Sequence, residues 1–264
     1  MDLQLREKLA LVTGSSAGIG YAIAEGLARE GASVIVNGRT ETRLNRAVEA
    51  IRSRYPNCHV EGFLGDLSNT EASTALTSKY TAVDILVNNL GIFNPQPFEE
   101  INDDEWRRFF EVNVLSGVRL SRAYLPAMKQ KNWGRIIFIS SESAIHIPVE
   151  MIHYGLTKTA QLAISRGLAE TTAGTGVTVN SVLPGPTASE GVGDFVAKLA
   201  STTNQSPAKF EKFFFEKVRP TSLLKRFATP EEVANLVVYV CSPLASATNG
   251  AALRVDGGVV RTVI

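Results

Sequence analysis

Short apolar runs alternate along this chain with longer stretches in which apolar residues recur every three or four positions. The runs at 9–12, 33–37, 59–64, 84–87, 134–139, 177–183 and 251–255 predict buried strands. The stretches between them predict helices. Ile19, Ile23 and Leu27 form one apolar stripe, and Leu44, Val48 and Ile51 another. From Asn102 to about Met128 a single long helix is expected. Trp106, Phe109, Phe110, Val112, Val114, Leu115, Val118 and Leu120 make it apolar over much of its circumference, as in a helix buried deeply or shared with a partner subunit. Further helices are expected from Tyr154 to about Thr172 and from Pro230 to Val240. Alternation this regular implies a parallel sheet covered on both faces.

The pattern breaks between about 190 and 226. Phe195, Val196 and Leu199 precede the polar run Ser201 to Ser206, and Phe210, Phe213, Phe214, Phe215, Leu223 and Leu224 follow it. The segment interrupts a sheet that resumes only near residue 251. It reads as a helical lid over a crevice, its phenylalanines facing substrate or a neighbouring subunit, or as an extra core-packing helix pair. No repeat beyond the strand–helix unit and no linker is evident, so one domain over 1–264 is expected, with the lid at about 190–226 as an insertion.

Composition narrows the class without naming it. The 264 residues are 44% hydrophobic and 20% charged, with a formal net charge of +1. That balance gives no electrostatic footprint for nucleic acid or an anionic membrane. No apolar run reaches the roughly 18–20 residues that cross a bilayer, and the N-terminus lacks the features of a signal peptide. Cys58 and Cys241 lie far apart without metal-ligand spacing and read as reduced and structural. A cytoplasmic protein without a bound metal is expected.

Candidate chemistry gathers at the carboxyl ends of the strands. The first ends in Thr13-Gly14-Ser15-Ser16-Ala17-Gly18-Ile19-Gly20, a glycine-rich turn leading into a helix. Glycines let the backbone approach a pyrophosphate whose charge the helix N-terminus stabilises, although the spacing is not strict G-x-G-x-x-G. The second ends in Asn37-Gly38-Arg39. No carboxylate stands there to bind a ribose 2′-hydroxyl, and Arg39 can pair with a 2′-phosphate, so NADP(H) is favoured and NAD(H) remains an alternative. Arg39 as a solvated helix-leading arginine is the plain alternative. Asp66, at the end of the third strand, suits an adenine amino group or, less well than Ser68 or Asn69, a helix cap.

The fifth strand delivers Ser140 and Ser141. Thirteen residues after Ser141 comes Tyr154, and four further on Lys158, one helical turn away on the same face. An ammonium beside a phenol favours the phenolate, so the Tyr154 pKa is expected to fall towards working pH. Asn113, an amide in an apolar surround, is either a structural tie or part of a polar chain. Ser140 alternates to the other face of its strand. His146 and His153 lack a nucleophile or metal partner and read as pocket wall or surface. Glu142 reads as a solvated or capping carboxylate.

These motifs, in this order, resemble the classical short-chain dehydrogenase/reductases along essentially the whole chain, and 3-oxoacyl thioester reductases among them. The resemblance implies a Rossmann-type, doubly wound three-layer α/β sandwich with a seven-stranded, mainly parallel sheet and a helical substrate lid. The turn carrying Gly14, Ser16, Gly18, Ile19 and Gly20 matches the family's cofactor loop, and Asp66-Leu67 its adenine-contacting pair. Asn89 and Gly91 stand where it has Asn-Asn-Ala-Gly, here with Leu90 for the alanine. Pro184, Gly185, Thr187 and Ser189 resemble the segment holding the nicotinamide end, with Ser189 where threonine is common. Asn113, Ser141, Tyr154 and Lys158 fall on the catalytic tetrad.

The resemblance then implies hydride transfer between nicotinamide and a small carbonyl or alcohol substrate. Tyr154 would move the hydroxyl proton. Lys158 would lower its pKa and bind the nicotinamide ribose, Ser141 would bind the substrate oxygen, and Asn113 would hold a water linking Lys158 to solvent. A homotetramer or homodimer is expected. Three functions stay open: an NADPH-dependent carbonyl reductase acting on a 3-oxoacyl thioester or another ketone, an alcohol, sugar or steroid dehydrogenase running oxidatively, and a non-catalytic cofactor-binding regulator.

Overall fold

The computed structural model describes residues 1–189 and 207–263. Seven strands lie in one sheet: β1 (Leu9–Val12), β2 (Ser33–Gly38), β3 (Val60–Leu64), β4 (Ile85–Asn88), β5 (Gly134–Ile139), β6 (Val177–Pro184) and β7 (Ala252–Val255). Their order is β3-β2-β1-β4-β5-β6-β7, and every neighbouring pair is parallel. Strand order reverses direction between β1 and β4, and this is where such sheets open a crevice at their carboxyl ends.

Each strand divides its side chains between two cores because successive residues point to opposite faces. Ala10, Val12, Val34, Val36, Ile85 and Val87 pack into one, whereas Leu11, Ile35, Leu86, Ile136 and Phe138 pack into the other. The first core lies under α1 (Gly18–Arg29), α2 (Glu41–Arg54) and α8 (Pro230–Val240), which supply Ile23, Leu27, Val48 and Val237. The second includes Leu76 of α3 (Thr70–Lys79) and Leu120 and Tyr124 of α5 (Ser116–Lys131), with Ala169 of α6 (Ile152–Glu170).

Local chemistry starts these helices where the sequence predicts. Asn69 caps α3 through Ala72 N, and Thr229 with Glu232 forms a capping box behind Pro230 of α8. Small residues bring α1 against α8: a methyl group on Gly26 would lie 2.9 Å from Val238. Among the described residues no helix is long and apolar enough to cross a membrane.

Two expectations change. The long helix from Asn102 is not continuous: α4 (Asp103–Phe110) passes through a wide π-helical turn, Glu111–Leu115, before α5 begins. Such turns collect at functional sites because they loosen the backbone ladder. The lid expected at 190–226 falls partly outside the described residues, as do Phe195, Val196, Leu199 and the polar run. Its later part forms α7 (Pro207–Phe213) and a second wide turn, Phe214–Val218. Phe215 is buried away from the cleft, Phe210 is buried in its wall, and Phe213 and Phe214 also line it.

Candidate active site

The glycine turn opens the site. Gly14 and Gly18 adopt φ of +58°, which favours glycine. A methyl group on Gly20 would meet the Asn89 amide at 2.4 Å and the Gly14 carbonyl at 2.5 Å, so only glycine lets this turn close. Asn89 Nδ2 donates to the Thr13 and Gly14 carbonyls, and Thr13 Oγ1 accepts from the Asn89 and Leu90 amides. The larger Leu90 side chain reaches beneath Gly14 without displacing these bonds. Gly14 N donates to Asn37 Oδ1, and Asn37 Nδ2 donates to the Phe63 and Gly65 carbonyls. The amide at the end of β2 is therefore a structural tie between strand ends.

Around this turn runs a cleft of about 890 Å³. Gly18, Ile19, Gly20, Asn89, Gly91, Ser141, Tyr154, Pro184, Gly185, Thr187 and Ser189, all singled out in the sequence, line it. Ser189 crosses to the glycine turn, 3.3 Å from a methyl group built on Gly18. Gly14, Ser16, Arg39, Asp66, Leu67, Asn113 and Lys158 stand behind or beside the lining. Ser16 lies against Gly38, where a methyl group would be 3.1 Å from its side chain. Leu67 is fully buried in the second core, and its carbonyl accepts from the Ser73 hydroxyl. Asp66 is oriented by Ser68, with Arg39 3.5 Å away. Partial burial opposes its ionisation, but the Ser68 hydroxyl and amide and the Arg39 charge outweigh it and hold the carboxyl below its usual range.

Ser141, at the carboxyl end of β5, receives Ser143 N on its Oγ and donates to Glu142 Oε2 at 2.5 Å. Of the two roles expected for Glu142, solvated or capping, the first fails and the second is partly met, since its carboxylate accepts from Ser143 N. Glu142 is buried and paired with Arg219 Nε at 3.3 Å. Arg219 in turn donates to Glu150 at 3.1 Å. Arg219 had no sequence signal, because it comes from the break in the alternation, 77 residues beyond Glu142. His153 is fully buried against Phe109 and Trp106, and His146 is exposed.

Tyr154 and Lys158 leave α6 on one face, with Nζ 5.6 Å from the phenol ring centre. The expected fall in the Tyr154 pKa is not found. Burial raises it, the Ser141 hydrogen bond and the Arg219 charge only partly offset this, and Glu142 raises it further. Desolvation of the phenolate exceeds any help from a lysine that is itself desolvated. Burial pushes Lys158 down to about 7. At neutral pH the phenol thus holds its proton, and the lysine is the group poised to titrate. The Asn113 side chain is held at both ends: Oδ1 accepts from Ile92 N at 2.7 Å, and Nδ2 donates to Ile92 O and Thr157 Oγ1. Its backbone carbonyl accepts from Gln161 Nε2 at 2.6 Å.

Comparison with known proteins agrees with this architecture over nearly the whole chain. A family model described as enoyl-(acyl carrier protein) reductase matches residues 14–260. The chain belongs to the short-chain dehydrogenase/reductase family. It is 51% identical over the full length of both chains to the uncharacterized oxidoreductase YvaG of Bacillus subtilis. It is 34% identical to the 3-oxoacyl-[acyl-carrier-protein] reductase FabG of Aquifex aeolicus, covering 98% of this chain and 100% of that one. The L-sorbose reductase of Gluconobacter frateurii, solved with NADPH and L-sorbose, superposes with a TM-score of 0.91 at 31% identity, covering both chains fully. This family member is an NAD(P)-dependent oxidoreductase.

The cleft fits a nicotinamide dinucleotide on its own geometry. The first backbone N–H groups of α1 have no side-chain cap, since Ala17 precedes the helix, and Gly18 and Gly20 leave them open to the cleft. The same turn would hold the pyrophosphate. Gly91, Pro184 and Gly185 would flank the nicotinamide end near Tyr154.

Proposed function

We propose that this dehydrogenase/reductase is an NADP(H)-dependent carbonyl reductase, with 3-oxoacyl thioesters among its candidate ketones. The observation that carries the reading is Tyr154 lining the same cleft as Ser141 and the glycine turn, with the buried Lys158 5.6 Å from its ring centre. A nicotinamide held in the cleft would supply the hydride. Tyr154 donates the proton to the substrate oxygen, and a phenol kept protonated by burial suits that direction. Ser141 would turn its hydroxyl proton from Glu142 to the same oxygen, and Lys158 would bind the nicotinamide ribose and favour proton release from the phenol. Asn113 ties the wide turn to Ile92 and α6 behind them. The described part of the lid supplies aromatic wall at Phe210, Phe213 and Phe214, which favours a substrate with apolar surface.

A hydroxylated ketone is the second reading, favoured by Arg219 and Glu150 on the wall of the same cleft. A panel of 3-oxoacyl thioesters, simple ketones and ketoses, followed by loss of NADPH absorbance, separates the two. Inertness on every carbonyl and alcohol tested, despite tight cofactor binding, would return the chain to a cofactor-binding regulator.

The NADP preference rests on Arg39 and on Asn37 where a carboxylate would select NAD. Arg39 is two-thirds exposed and only loosely paired with Asp66, so its guanidinium is available to a 2′-phosphate. Arg39→Ala is expected to weaken NADPH binding by about tenfold or more, the scale of a lost charge-assisted hydrogen bond, with NADH nearly unaffected. Equal losses for the two cofactors, measured by fluorescence titration, would show that Arg39 does not read the phosphate.

A further inference from the structure

A buried polar chain runs behind the site, and none of the expected roles uses its middle member. Lys158 Nζ donates to the Ile139 carbonyl at 2.9 Å and to Gln161 Oε1 at 3.3 Å. Gln161 Nε2 donates to the Asn113 backbone carbonyl at 2.6 Å. Gln161 is buried on α6, one turn beyond Lys158, so it faces the same side of the helix. We infer that Gln161 is a positioning residue for Lys158, its side-chain amide bridging the ammonium to the main chain of the wide turn at Asn113.

The orientation of the amide is dictated by its neighbours. With the oxygen and nitrogen exchanged, two acceptors would meet at the Asn113 carbonyl and two donors at Nζ, each pair buried and repulsive. The carbonyl thus locks the nitrogen in place, and the oxygen must face the lysine. The side chain of Gln161 thus joins Lys158 to the Asn113 main chain directly. An acceptor at this point stabilises the charged lysine against the burial that pushes it down to about 7. Among the described residues, Tyr154 is the titratable group set against Lys158 on its own helix. The Ile139 carbonyl from β5, Asn113 from the wide turn and Gly91 from the loop after β4 present only neutral groups, and Glu142 and Arg219 act on Tyr154 from beyond Ser141.

The inference rests on the proposed role of Lys158, and its test does not require turnover. The Lys158 titration midpoint is read by NMR of 13Cε-labelled lysine in the ligand-free protein, its resonance assigned by disappearance in Lys158→Met. Gln161→Met, similar in length and without a strong acceptor, is expected to lower the midpoint. Gln161→Glu places an opposite charge within reach and is expected to raise it by about one pH unit or more. In parallel, the limb of kcat/KM for NADPH that reports the free enzyme should move the same way in each variant. A role in packing alone would lower the melting temperature of Gln161→Met and leave its midpoint unmoved, and that result overturns the inference. Should Gln161→Met fail to fold, Gln161→Leu, which also lacks an acceptor, is read in its place. Full turnover in Lys158→Met would instead sink the reading of Lys158, while an inactive Lys158→Met beside an unshifted Gln161→Met would sink the role of Gln161 alone.

Discussion

Tyr154→Phe is expected to lower kcat by at least about two orders of magnitude while leaving NADPH affinity nearly intact, the usual scale for losing a general acid. The loss should be large because the site holds no ready substitute. The Ser141 hydroxyl proton is directed to Glu142 at 2.5 Å, and Lys158 is buried behind the phenol with its ammonium engaged by Ile139 and Gln161. The affinity should survive because phenylalanine keeps the ring, including its edge contact with Phe93 at 6.3 Å between centres. Stopped-flow measurement of hydride transfer with the best ketone of the panel tests this directly, and a variant with wild-type rate would remove Tyr154 from the mechanism.

Arg219→Met should produce the largest loss of stability, about 3–5 kcal/mol in urea unfolding, because it strands a buried carboxylate. The Arg219 and Glu142 side chains are only 8% and 6% exposed, so solvent screens their interaction little. Without the guanidinium, Glu142 keeps only the Ser141 hydroxyl and Ser143 amide as partners. Replacing the carboxylate as well removes the stranded charge, so the double variant Glu142→Gln/Arg219→Met should recover most of the loss. A loss below about 1 kcal/mol for the single variant, the range of exposed ion pairs, would show that water reaches this cluster. The outcome bears on function, since the same carboxylate receives the proton of Ser141.

The sheet and the glycine turn were legible in the sequence because they are local. A buried strand declares itself by an apolar run and a helix by its stripe, and each of the seven predicted strands lies within a residue or so of its observed span. Tyr154 and Lys158 were legible for the same reason, since four residues on a helix set their geometry. The burial of Glu142 was not legible because its neighbours in sequence are polar, whereas its partner Arg219 arrives from the segment after α7. The wide turn at Asn113 was invisible because its residues have ordinary helical character and only the hydrogen-bond ladder distinguishes it.

Protonation shows the division most clearly. An ammonium one turn from a phenol argues for a lowered tyrosine pKa, and as a pairwise statement that is sound. The folded chain buries Lys158 and sets Tyr154, part-buried, in the wall of the cleft, and desolvation then raises the phenol and lowers the lysine. By itself the sequence determined the strands, the cofactor turn and which side chains share a helix face, all of them consequences of short-range periodicity. Only the tertiary structure decided how much water those side chains lose and which distant partners reach them, because burial and long-range pairing arise when separate elements meet.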